Sequence, residues 1–365
     1  MSNSIGTEFR ITSFGESHGK CIGILIDGCP AGLALDGEAL RRMMKRRRPG
    51  TSTVTTARTE TDEVEILSGV YDGHTTGAPI LMLTWNRDYD SSSYDQIKGK
   101  PRPGHADYTA WARYGGFNDP LGGGRASGRV TAGFVMAGAV AEQLLSTIGV
   151  EVHAYTHDIG GVEAPEPTFD QIKKAVTSVV GCLDLSASER MVRVIEEAKI
   201  SGDSVGGVVE CVTFGLPAGI GQPIFDTIEG DVAKALFAVP AVKAVEFGAG
   251  IRLASMRGSE ANDPYIVEGG AIGTATNNSG GVLGGITTGA PIVVRAVFKP
   301  TPSIAKTQRT VDFATLNEAK INVGGRNDPC IVPRAVPVVE AIVATTLADH
   351  TIRRGLIPQV LGEKR

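Results

Sequence analysis

Apolar positions along the chain follow two periods. FRITSF (9–14) and KCIGILIDG (20–28) are short β-branched runs with GESHG lying between them, and they read as two strands. DGEALRRMMKRRR, starting at Asp36, and DTIEGDVAKALFAV, starting at Asp226, carry apolar residues at helical spacing behind an acidic start, with each Asp as a plausible N-cap. SGRVTAGFVMAGAVAEQLLSTIG (127–149) has the small-residue and apolar density of a buried helix ended by Gly149. ASERMVRVIEEAKISGD (187–203) reads as an amphipathic helix with a solvated face. VPRAVPVVEAIVATTLADHTIRR (332–354) reads as a long closing helix whose basic end suits its dipole.

The pattern repeats. GVYDGHTTGAPILMLTW (69–85) returns as GVLGGITTGAPIVVRAVF (281–298), sharing TTGAPI, and GILIDGCPAGL (23–33) is echoed by VVECVTFGLPAGI (208–220) in the same order. Ordered companion matches point to duplication. Two related strand-helix-strand units follow, about 10–87 and 204–299, joined by an insert over 88–203 and closed by the helix at about 332–354. No Pro/Ser-rich linker separates them, so a single interlocked α+β domain over 1–365 is expected.

Composition narrows the class. Of 365 residues 42% are hydrophobic and 21% charged, enough to bury a large core. The 47 glycines are spread through apolar segments, which suggests tight turns and close backbone approach. A net charge of −4 calls for neither nucleic acid nor an anionic membrane as partner. The start lacks a basic region followed by a long apolar one, and no stretch of about 18 uncharged apolar residues occurs, so a cytoplasmic protein is expected. Five widely spaced cysteines without a C-x-x-C pair argue against a disulfide framework and a structural zinc site.

The candidate chemistry begins at FGESHG (14–19), which fits the G-x-S-x-G of a hydrolase nucleophile elbow. An elbow needs a helix after the serine and an earlier loop for the oxyanion hole. Here a β-run follows, and too little chain precedes. Gly15 and Gly19 then bracket a tight loop that offers Ser17 and His18 to a ligand, unless both merely satisfy a β-turn. In PRPGHADYT (101–109), His105 stands two residues before Asp107, which could orient its imidazole. GGGRASGR (122–129) puts Arg125, Ser127 and Arg129 at the start of the 127–149 helix, as an anion site or a plain Gly-rich turn. RRMMKRRRPG (41–50) ends a helix on Arg46, Arg47 and Arg48, either a solvated face or a phosphate or carboxylate reader. KPTPSI (299–304) aligns Lys299, Thr301 and Ser303 on a stiff strip, and GRNDPC (325–330) places an arginine near Asp328. His153 and His157 fall on a strand pattern, where i and i+4 lie too far apart for one metal, and no metal is expected. Neither a nucleoside triphosphate loop nor a Rossmann fingerprint is present. The residues suit an enzyme acting on a small, multiply anionic, phosphorylated compound.

Those segments together resemble the chorismate synthase family: FGESHG with DG-x-P, RRRPGTS, PGHADYT, GGGR-x-S-x-R-x-T, AVKAVEFGAGI with RGSEAND, GGVLGGITTG-x-P-I, KPTPSI, and R-x-DPC with RAVPVVEA, in one order over about 7–345. The resemblance implies a β-α-β sandwich with an internal pseudo-repeat and a homotetramer. It implies a lyase of the shikimate pathway, and so of aromatic amino acid biosynthesis, that converts 5-enolpyruvylshikimate 3-phosphate to chorismate and phosphate by 1,4-anti elimination. The cofactor it implies is reduced FMN (FMNH2), with no net redox change. By position, His18 resembles the residue that protonates the leaving phosphate and His105 the one that stabilises or protonates the reduced flavin. Ser17 and Ser127 would position flavin, substrate and a proton path, and Asp328 would act through flavin N5 in removing the C6 proton. Arg47, Arg48 and Arg129 resemble substrate clamps. The flavin-binding positions would be Arg125, Ala126 and Ser127, Pro240 and Ala241, Gly284, the run Lys299, Pro300, Thr301, Pro302 and Ser303, and Arg326. Some family members reduce their own flavin with NADPH; this chain, with no added reductase domain, is expected to rely on an external flavin reductase. It departs from the family at Asn327 (usually His), Val130 (Glu), Ala126 (Ser), and Thr53 and Val54, where a second arginine is common.

Overall fold

The computed structural model describes residues 3–48, 61–87, 99–174, 178–323 and 327–362. Two five-stranded antiparallel sheets organise the chain. The first contains β1 (Ser4–Ile5), β2 (Arg10–Gly15), β3 (Cys21–Asp27), β4 (Glu65–Ile66) and β5 (Ile80–Trp85), in the order β1-β2-β3-β5-β4. The second contains β6 (Glu151–Ile159), β7 (Val162–Glu163), β8 (Gly207–Phe214), β9 (Val242–Phe247) and β10 (Ile292–Phe298), in the order β9-β10-β8-β6-β7. Burial alternates residue by residue along β10, so one face of the second sheet turns to the core.

Six of the described helices complete the frame: α1 (Gly37–Arg47), α2 (Asp107–Tyr114), α3 (Thr131–Ser146), α4 (Leu185–Ile200), α5 (Ile228–Phe237) and α6 (Val332–Arg353). α3 packs on β2, β3 and β5 of the first sheet, α6 packs on β6 and β8 of the second, and the two helices pack on each other. Their approach is close: a Cβ on Gly138 would stand 2.2 Å from Cβ of Ala341, so only glycine fits at that crossing. α6 is long and apolar enough to span a bilayer, yet its apolar window is wholly buried, as befits a core helix. Its few charges are satisfied: Asp349 accepts from the backbone N–H of Thr7, Glu8 and Phe9, and Glu340 accepts from Arg46 and from Ala154 N–H at 2.9 Å. One contiguous hydrophobic cluster runs through both sheets and the helices between their strands in sequence.

The two TTGAPI segments make matching contacts. Thr75 Oγ1 donates to Pro30 O (2.6 Å) and accepts from Leu33 N–H (2.9 Å); Thr287 Oγ1 donates to Pro217 O (2.7 Å) and accepts from Ile220 N–H (2.9 Å). Each of these threonines also exchanges backbone hydrogen bonds with its P-A-G segment, and the next threonine donates its N–H to a glycine, Gly69 or Gly281.

The helix starts agree with the sequence reading at α1 and differ from it at α5 and α3. Asp36 caps α1, accepting from Glu38 N–H at 2.7 Å. α5 is capped by Thr227, not Asp226: Thr227 Oγ1 accepts from Gly230 N–H at 3.0 Å, while Asp226 pairs with Arg353 at 2.7 Å. α3 begins at Thr131 rather than Ser127, because Ser127 is extended and a 3-10 turn over Gly128–Val130 intervenes. Cys29, Cys182, Cys211 and Cys330 are buried, and desolvation pushes the Cys29 and Cys330 thiols up to about 12.

Candidate active site

A cavity of about 630 Å³ gathers loops from both halves of the chain, a size typical of small-molecule and cofactor sites. FGESHG enters it as a β-hairpin turn. β2 ends at Gly15, whose φ is +87° and where a Cβ would lie 2.1 Å from Cys21 O, so the chain can turn there only as glycine. Gly19 N–H donates to Glu16 O at 3.0 Å and β3 begins at Cys21, so strands flank the motif on both sides and the helix of a nucleophile elbow is absent. Ser17 and His18 are buried and line the cavity.

The glycine loop at 122–124 passes against both histidines. A Cβ on Gly122 would lie 2.3 Å from His18 Cδ2 and 2.8 Å from Ser17 Oγ; one on Gly123 would lie 2.9 Å from His105 Cε1. Gly124 O accepts from Ser17 N–H at 3.3 Å, which ties this loop to FGESHG. His105 Nδ1 is 2.6 Å from Asp107 Oδ1, and Arg102 holds the carboxylate through its backbone N–H (2.9 Å), Nε (2.8 Å) and Nη2 (2.8 Å). A carboxylate only accepts, so Nδ1 carries the hydrogen and Nε2 is left on the side of Gly123. Burial would raise the Asp107 pKa, but hydrogen bonds from Arg102 and His105 outweigh it and hold the carboxyl well below its usual range.

Opposite these groups stands an arginine cluster. Asp62, with a fully buried side chain, accepts from Arg47 Nη2 at 2.9 Å and from Arg129 Nη1. Arg334, on the first turn of α6, donates to Arg47 O at 3.2 Å and pairs with Asp328 at 2.5 Å. Burial, reinforced by the charges of Arg129 and Arg334 against that of Asp62, lowers the Arg47 pKa to about 10. Three guanidiniums thus face two carboxylates. Arg47 Nε and Arg129 Nη2 are buried without a hydrogen-bond partner among the described residues, the chemistry of a site that takes an anion.

The remaining walls are shared. Ser127 Oγ accepts from Arg129 N–H at 3.2 Å. Arg125 lines the cavity, but its guanidinium is spent on Gly15 O (2.8 Å) and on Ser13. Lys299 donates to Gly104 O at 2.7 Å, and burial together with the neighbouring Lys243 lowers its pKa. Thr301 Oγ1 donates to Asp328 O at 2.7 Å, and Ser303 Oγ accepts from Arg102. Ala126, Pro240, Ala241 and Pro302 also face the cavity.

Three expected site residues do not join them. Arg48 is the half-buried C-cap of α1, Gly284 sits on the turn between strands Val282–Leu283 and Ile286–Thr287, and neither these nor Pro300 are among the residues lining the cavity. Arg326, like Thr53 and Val54, lies outside the described residues. Asn327 lines the cavity and donates to Val323 O at 3.2 Å, while Val130 is buried in the core. Sequence reasoning missed Asp62, Asn86, Arg102 and Arg334, of which Arg102, inside PRPGHADYT, and Arg334, inside RAVPVVEA, stood in quoted motifs. His153 and His157 lie on β6, as expected. His157, Glu166 and Glu210 bring ligand-capable atoms within 4.8 Å of one another, but Arg295 is already seated on both carboxylates.

Comparison with known proteins places the whole chain in one family. The family model described as chorismate synthase matches residues 9–352. The chain is 52% identical over 364 residues to a chorismate synthase of Dehalococcoides mccartyi, covering 100% of both. It is 51% identical to one of Methanococcoides burtonii, covering 97% of each. A crystal structure of a chorismate synthase superposes with a TM-score of 0.77 at 31% identity, over 96% of this chain and 93% of that one. The chain therefore belongs to the chorismate synthase family, carbon-oxygen lyases acting on a phosphate ester.

Proposed function

We propose that the cavity binds 5-enolpyruvylshikimate 3-phosphate beside reduced FMN and eliminates phosphate to give chorismate. The observation that carries this reading is the pair of buried guanidinium nitrogens on Arg47 and Arg129 that have no partner among the described residues, in the cavity that also holds His18 and His105. A substrate with two carboxylates and a phosphate matches that excess of positive charge. The donor set fits the flavin as well: Gly104, Gly122 and Gly128 leave backbone without side chains on the cavity wall, and Lys299, Thr301 and Ser303 stand there for a phosphate. Bound there, reduced FMN supplies transient electron donation for a C–H bond that the substrate does not activate.

In the elimination, the C3–O bond breaks with its electron pair leaving on phosphate, a proton leaves C6, and a new double bond forms. His18 donates a proton to the departing phosphate, and Ser17 orients it. His105, held by Asp107 and Arg102, sets the protonation state at the flavin side of the cavity through Nε2, with Ser127 beside it. Asp328, paired with Arg334, takes up the proton leaving C6. Arg47 and Arg129 hold substrate anions, an assignment that the geometry favours over one for Arg48.

We further propose that residues 1–365 form one β-α-β sandwich domain from two related units, about 10–87 and 204–299; the matching hydrogen bonds of Thr75 and Thr287 support it. A homotetramer is supported by the exposed apolar residues Tyr265, Val267 and Ile272 on one hairpin. A cytoplasmic setting, and an external NADPH-dependent flavin reductase, rest on the family resemblance. Titrating reduced FMN with and without substrate, in the wild type and in Arg47→Ala and Arg129→Ala, tests the site. Both variants should lose substrate affinity at least about tenfold, as expected when a charge-assisted contact is removed. Wild-type affinity in both would reject it.

A further inference from the structure

We propose that Asn86 is a positioning residue for this reaction: its side-chain amide fixes the loop carrying Ser17 and His18 at a set distance from the guanidinium of Arg129. Asn86 is the residue after β5 and is buried. Its Nδ2 donates to Glu16 O at 3.1 Å and to Gly19 O at 2.8 Å, the two carbonyls that flank Ser17 and His18. Its Oδ1 accepts from Arg129 Nε at 2.8 Å. Its backbone N–H donates to Lys20 O at 3.0 Å. The amide can sit only this way round, because the reverse would set its oxygen against two carbonyls and its NH2 against a guanidinium.

Both Nδ2 hydrogens are spent on one turn and the oxygen on one arginine, so a single planar group sets the spacing between them. Arg129 is held from its other end by Asp62, which also holds Arg47. A rigid chain therefore runs from the proton-donor loop through Asn86 to the anion clamp. At Asn86 both amide donors and the oxygen are engaged, and a buried amide satisfied in this way specifies one geometry. An ångström of slack between a proton donor and a bound substrate can cost two orders of magnitude in rate.

This inference rests on the assignment of His18 and Arg129 to the site. Its test uses the full chain in four single variants and one double: Asn86→Leu, which keeps volume and removes every side-chain hydrogen bond; Asn86→Asp, which keeps the acceptor for Arg129 and loses both donors; Arg129→Ala; His18→Ala; and Asn86→Leu with Arg129→Ala. Both Asn86 variants should lose at least about tenfold in kcat. Amide exchange should quicken at residues 15–19 and stay unchanged in α3 and α6. The double variant should lose less in kcat/KM than the product of the two single losses. If Asn86→Leu fails to fold, Asn86→Asp carries the same two readouts. Unchanged kcat in the Asn86 variants while His18→Ala is impaired overturns the positioning role, as does exchange that rises evenly through both sheets. Full activity of His18→Ala would instead overturn the site assignment on which the role is built.

Discussion

Gly122 lies directly against His18: the Cβ of any other residue there would fall 2.3 Å from the imidazole Cδ2, well inside contact distance. The glycine is held at φ +61°, which a side chain also resists. Gly122→Ala should therefore displace the proposed proton donor, lowering kcat at least about tenfold, and cost about 1 kcal/mol or more in strain. Steady-state rates and a thermal melt of the variant check both parts.

Asp107 should govern a pH dependence of stability. Its folded pKa lies below the unfolded value of about 3.9, so its contribution is present in full above that pH and is lost as pH falls toward the folded value. Asp107→Asn should flatten the acid side of the stability profile below about pH 4. It should also slow turnover at neutral pH, because the amide no longer dictates that His105 Nδ1 carries the hydrogen. Denaturant melts from pH 2 to 7, paired with rates at pH 7, would show a wild-type profile if that pairing were idle.

Asp62→Ala leaves the Arg47 and Arg129 guanidiniums without their shared carboxylate. Breaking a buried ion pair on one side costs about 3 to 5 kcal/mol. Stability should fall by that order, and KM for the substrate should rise as both clamps lose their orientation. A chemical melt and a KM measurement suffice, and an unchanged KM would remove Asp62 from the site.

Thr75→Val and Thr287→Val delete the same hydrogen bonds in the two halves. Each leaves buried backbone groups unpaired, at about 1 to 3 kcal/mol. If the halves are related units, the two losses should agree within about 1 kcal/mol; a loss in only one half would contradict that relation.

Much of this was legible in the chain, and the gaps share a cause. Helical period locates α1, α4 and α6 within a few residues, and the acidic start of α1 marks its cap at Asp36, because those signals are local. α3 starts past the expected Ser127 because Ser127 is extended and a 3-10 turn over Gly128–Val130 precedes the helix, a turn whose Gly128 O accepts from Arg47 of a distant segment. Thr227 rather than Asp226 caps α5 because Arg353, from the far end of the chain, takes the aspartate. The Gly/Pro loops announced His18, His105 and Ser127. Asp62 and Asn86 carry no local mark, since each is defined by what it grips: an arginine 67 residues away, and two loop carbonyls with that arginine's Nε; Arg102 stands inside PRPGHADYT, but its grip on the carboxylate behind His105 shows only in the fold.

The most direct test of the account is product formation without oxygen. Purified protein, chemically reduced FMN and 5-enolpyruvylshikimate 3-phosphate should yield chorismate and phosphate in equal amounts, with His18→Ala and His105→Ala each at least about tenfold slower. No chorismate from the wild type, or variants as fast as it, would contradict the account.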